Sequence, residues 1–154
     1  MTWTYKLFGL PSHMLVIHLV VVGIPVAGIA TIAMAVRPQW RTGKFGLTVI
    51  LMDALAVVGT WLARITGEQF FDKSPGLRTL KEVIDHKNLA MTLIWYMIGM
   101  LVAAVLLVLA EKYERPPLTT IFAAIAVAAA AAAVVQTVRV GDSGAQHWAP
   151  YVNN

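Results

Sequence analysis

The stretch GLPSHMLVIH, Gly9–His18, runs directly into LVVVGIPVAGIATIAMAV, Leu19–Val36. The apolar run from about Met14 to Val36 exceeds the roughly 20 residues that an α-helix needs to cross a hydrocarbon core of about 30 Å. It is too long for the apolar region of a signal peptide, and no small-residue cleavage site leads into a soluble body, so it is read as a retained helix. Ser12, after Pro11, is placed to cap its start, and Arg37–Pro38 end it. Two of the four histidines of the chain, His13 and His18, lie at the mouth of this helix. Titratable groups inside a bilayer are costly and usually functional.

Outward from this stretch, the whole chain has a membrane composition. Of 154 residues, 58% are hydrophobic and 13% charged, and the mean hydropathy is +0.71. A soluble domain carries roughly 25% charged residues. The length suits one small domain. There are no cysteines, which excludes disulfides, thiolate-ligated or covalently attached haem, and iron–sulfur clusters bound by this chain. The formal charge of +4 is read as serving topology and anionic lipid rather than nucleic acid.

Four segments qualify as spans: about 13–36, 47–66, 88–110 and 119–140. The second is opened by Gly46 and closed by Gly67, the third ends at the charged EKYERPP (Glu111–Pro117), and the fourth ends at Gly141. The expected fold is all-α, an integral membrane four-helix bundle forming a single transmembrane domain. Its Ala-rich AVAAAAAAVV (Ala126–Val135) suits close helix packing. Short links make helices one and two, and three and four, antiparallel neighbours. In the longer second link, Leu77, Leu80, Val83 and Ile84 recur at spacings of three and four, predicting a short interfacial helix over Leu77–His86. No internal repeat stands out.

With four spans, all four histidines fall on one side of the membrane: His13, His18, His86 and His147. Arg64, Glu68, Arg139 and Asp142 fall there too. The other side carries Arg37, Arg41, Lys44, Lys112 and Arg115 and no histidine. The histidine side has more cations in raw number, but they are interspersed with acidic residues, while Arg37, Arg41 and Lys44 stand without them. The termini and the histidine cluster are therefore read as facing outward.

His13 and His18 are five residues apart, about 140° around a helix, with His18 about 7.5 Å deeper. Each must face a different neighbour. The deeper His18 is the better buried ligand candidate, with His86 its natural partner, and neutral imidazole is a common ligand for haem and transition metals. Gly23, Ala27 and Gly28 could leave room for a macrocycle, and Arg64 and Arg139 could face its propionates. Plainer readings stand beside these. His13 serves equally as an interfacial polar residue, and His18 and His86 could hydrogen-bond to each other or to a carbonyl. Arg64 and Glu68 have the spacing of an ordinary helix ion pair, and His147 sits in a polar tail. Asp53, well inside helix two, is either a protonated structural donor or part of a proton path. The tryptophans suit interfacial belts. No nucleotide loop, Ser–His–Asp arrangement or HExxH helix occurs, so the chain is not expected to be an enzyme on its own.

These residues resemble the DUF2231 family of small bacterial four-helix membrane proteins. The matching stretches are GLPSHMLVIH (Gly9–His18), TGE (Thr66–Glu68), IDHKNLA (Ile84–Ala90) and VVQTVRVGDSGA (Val134–Ala145). Met14 stands where the family commonly has proline, and Asp142 where its last motif has histidine. His147, five residues on, could substitute for that ligand. The resemblance implies a multi-pass protein of the bacterial inner membrane. Relatives joined to Rieske or cytochrome domains imply a redox setting.

Three functions follow as expectations. The first is a haem b protein moving electrons near one membrane surface, with His18 and His86 as ligands and His13 and His147 as alternatives. The second is an accessory subunit of a respiratory or photosynthetic complex. It would have a membrane-protein partner or form a homo-oligomer, and its histidines would hold helices, a quinone or a lipid headgroup. The third is a transition-metal site built from His13, His86, Glu68 and Asp142.

Overall fold

The computed structural model describes the backbone of residues 6–7 and 10–152 and the side chains of residues 12–146. Four helices dominate it: α1 (Ser12–Val36), α2 (Gly43–Asp72), α3 (Lys81–Lys112) and α4 (Pro116–Val152). A two-residue ladder, β1 (Lys6–Leu7) antiparallel to β2 (Leu10–Pro11), precedes α1. All four helices are long and apolar enough to cross a membrane.

Three helices run past the ends that the sequence suggests. Gly67 and Gly141 lie inside α2 and α4, because one glycine costs a helix only about 1 kcal/mol relative to alanine. The interfacial helix expected over Leu77–His86 is absent as a separate element. Pro75–Leu77 form a 3-10 turn and Leu80 is extended, after which Lys81–His86 are the first turns of α3 itself. No proline or glycine intervenes before Gly99, so nothing stops the helix from continuing into the span.

α1 packs against α2 and α4, and α3 packs against the same two, leaving α1 and α3 on one diagonal of the bundle. Toward the histidine end, Val20, Ile24 and Ala27 meet Leu93, Met97, Met100, Ala130 and Ala133. Toward the other end, Met34, Ala35 and Val49 meet Ala103, Ala104, Leu107 and Ala126. A Cβ on Gly28 would lie 2.7 Å from the Val134 Cγ2, so this glycine is what lets α1 and α4 approach. The room the sequence offered there for a macrocycle is filled by α4. The outer surface is as apolar as the core, with Leu19 and Trp95 each 71% exposed, as lipid rather than water requires. Mid-membrane, both Asp53 carboxylate oxygens accept from the Thr31 hydroxyl, at 3.1 and 3.0 Å. This polar clasp joins α1 to α2, and Asp53 is fully buried.

A candidate imidazole site at one end of the bundle

His13 occupies the first turn of α1 and is half-buried against the last third of α2. Its Nδ1 lies 3.1 Å from the Ala63 carbonyl oxygen and 3.3 Å from the Thr66 Oγ1. A carbonyl only accepts, so Nδ1 carries the proton. Thr66 agrees, because its own hydroxyl hydrogen is given to the Leu62 carbonyl at 2.8 Å. The neutral ring then has its lone pair on Nε2. Phe70 stacks on the imidazole with centroids 6.4 Å apart and planes 17° from parallel. The ring also lies against Gly67, where a Cβ would come within 3.0 Å of its Cε1.

His86, in the second turn of α3, repeats this arrangement against α4. Its Nδ1 is 2.9 Å from the Ser143 Oγ, and that hydroxyl donates to the Val140 carbonyl at 2.8 Å. With its hydrogen on that carbonyl, Ser143 accepts from the imidazole, an arrangement that puts the proton on Nδ1 and the lone pair on Nε2. A Cβ on Gly144 would come within 3.1 Å of the His86 Cε1. In each hairpin, a histidine opening one helix rests on a hydroxyl–glycine pair near the end of the next, Thr66-Gly67 or Ser143-Gly144. The separations from histidine to hydroxyl are 53 and 57 residues. This is the internal correspondence that the sequence did not reveal, since only three positions in each hairpin carry it. Its signal was present, however, in the paired His and Ser/Thr-Gly spacing.

The two imidazoles sit at the same end of diagonal helices, His13 in the first turn of α1 and His86 in the second turn of α3. Of the pair on α1, His13 and not His18 enters this cluster. His18 is exposed on the outer face, with its Nδ1 2.5 Å from the Met14 carbonyl of its own helix. Under the site, buried Gln136 donates to the Thr92 Oγ1 at 2.8 Å, a link from α4 to α3 that the sequence reading missed.

The charged candidates are engaged elsewhere. Arg64 pairs with Glu68 at 3.2 Å, Asp142 accepts from Gln146 at 2.7 Å, and exposed Arg139 lies 3.4 Å from the Gln136 Oε1. Among the described residues, no three histidine or carboxylate side chains gather to hold a metal ion. The His147 side chain lies outside the described residues.

Four apolar helices, a lipid-like outer surface and charged side chains confined to the ends apart from buried Asp53 define a multi-pass, four-helix membrane protein. Residues 9–152 match the DUF2231 family, described as predicted membrane proteins, and the chain belongs to that family. No curated protein and no solved structure matches it.

Proposed function

We propose that this protein is a membrane electron carrier holding haem b between His13 and His86. One observation carries the reading: two imidazoles from diagonal helices share one end of the bundle, each with Nδ1–H held and its lone pair on Nε2. Metal-ligating histidines commonly have this form, because donation from the second nitrogen fixes ring orientation and makes the ligating nitrogen more basic.

The donor set favours haem over an ion held by protein alone. A protein zinc site takes three or four side-chain ligands, and Glu68 and Asp142, the carboxylates such a site would need, are turned to Arg64 and Gln146. Haem brings its own nitrogen ligands and would need only the two imidazoles, His13 and His86, from the protein. When bound, it supplies a one-electron iron couple near one membrane surface. The chain's part is to orient the rings: Ala63 and Thr66 fix His13, Ser143 fixes His86, and Gly67 and Gly144 let each ring lie close to the neighbouring helix. Arg139, exposed at this end, would turn from Gln136 to meet a propionate.

The test is an optical spectrum of protein produced with haem supplied. The expected result is a Soret band with a sharp reduced α-band, in a ratio near one haem per chain. A protein purified intact, with no Soret band oxidised or reduced, would overturn the reading.

A further inference from the structure

At the end opposite the histidines, α3 and α4 leave an outward groove of about 350 Å³, within the range of small-molecule sites. Its walls are Leu106, Leu109, Leu118 and Phe122, and its mouth is formed by Tyr113 and Arg115. The tight turn between the helices sets this mouth, with Glu114 in the left-handed conformation at φ 51°. The groove therefore runs from apolar side chains within the spans to a phenol and a guanidinium at the membrane surface.

The local charge is positive on balance, with Arg37, Arg41, Lys44, Lys112 and Arg115 against Glu111 and Glu114. Glu111 is committed to Arg41 at 3.0 Å, and the Arg41 guanidinium also donates to the Ala35 carbonyl at 2.6 Å. Arg115 makes no side-chain ion pair among the described residues. The Lys112 ammonium stands 6.0 Å from the centroid of the Tyr113 ring, adding a second cation at the mouth. Arg37 and Lys44 lie at the same end. A groove that is apolar along its length and cationic at its interfacial end is complementary to an acyl chain bearing an anionic headgroup. Basic pockets between membrane helices bind such headgroups.

We propose that this groove is a binding site for one anionic phospholipid. The acyl chain lies along Leu106, Leu109, Leu118 and Phe122, and the phosphate meets the Arg115 guanidinium and the Tyr113 hydroxyl. Because anionic lipid is concentrated in the cytoplasmic leaflet, the site places the α3–α4 turn inside and the histidine end outside.

The experiment is native mass spectrometry of the whole protein in detergent, titrated separately with phosphatidylglycerol and phosphatidylcholine. At about 1 kcal/mol per cation near the headgroup, the first bound phosphatidylglycerol is expected to be retained about fivefold better. Arg115→Gln removes the preference, Arg115→Lys keeps it, and Leu109→Trp, which fills the groove from its lipid-facing wall, reduces retention of both lipids. Equal retention of the two lipids by the unaltered protein, or an undiminished preference in Arg115→Gln, would overturn the proposal.

Discussion

The two hairpins of this bundle hold an imidazole in the same way but with unequal fittings. In α1–α2, His13 gives its Nδ1 proton to a site shared by a backbone carbonyl and a hydroxyl, and its face is stacked on Phe70. In α3–α4, His86 meets the Ser143 hydroxyl at the shorter distance of 2.9 Å. Both rings lie on a glycine. The difference teaches which parts are interchangeable. A carbonyl cannot be deleted by mutating its side chain, whereas the Ser143 hydroxyl can, so the first hairpin is the more robust holder.

Breaking the pair outright gives the largest effect. His13→Ala or His86→Ala is expected to remove haem retention through purification, because each would take away one of the two imidazoles that would hold the group. Next come the glycines. Gly67→Ala and Gly144→Ala place a Cβ about 3 Å from an imidazole carbon, a tight contact that the ring must relieve by a few tenths of an ångström. Each ring must shift, at a typical cost of about 1–3 kcal/mol for overpacking, partly offset by about 1 kcal/mol of helix propensity. Absorbance per protein and the shape of the reduced band should both change, while the helical circular dichroism remains.

The hydroxyls sharpen the comparison further. Ser143→Ala removes the anchor of His86 and should weaken haem affinity by about 10–100-fold, the usual scale for such outer partners. Thr66→Ala leaves the Ala63 carbonyl in place and should cost clearly less. Haem titration of the two purified variants checks this, and equal losses would mean that the hairpins are not fitted as described. The smallest effect belongs to the clasp away from the site. Asp53→Asn keeps an acceptor for the Thr31 hydroxyl, and a thermal melt should show it nearly unchanged. Thr31→Val strands the carboxyl without its donor, for a loss of about 1–3 kcal/mol.

Much of the architecture was legible in the residues. Four apolar runs gave four spans, and simple alternation of direction gave one end that holds His13, His18 and His86. Element ends were less legible, because Gly67 and Gly141 read as stops while a helix already built by its neighbours continues through a lone glycine. The rotation of α1 was not legible at all. In a soluble helix, an apolar stripe marks the inward face. Here core and lipid are both apolar, so Leu19 faces outward and Val20 inward with no contrast between them. The choice between His13 and His18 therefore rested on depth, and depth pointed to His18. What favours His13 is the partner helix: Ala63, Thr66, Gly67 and Phe70 of α2 make a seat for it, and that seat is fifty or more residues away in the chain.

The most direct test compares three single variants, His13→Ala, His18→Ala and His86→Ala, purified side by side and read by reduced-minus-oxidised difference spectra. With imidazoles 13 and 86 as the joint ligands, the His18→Ala spectrum matches the unaltered protein, and the other two lose the band. A full band in His13→Ala together with its loss in His18→Ala would contradict the account and return the site to the outer face of α1.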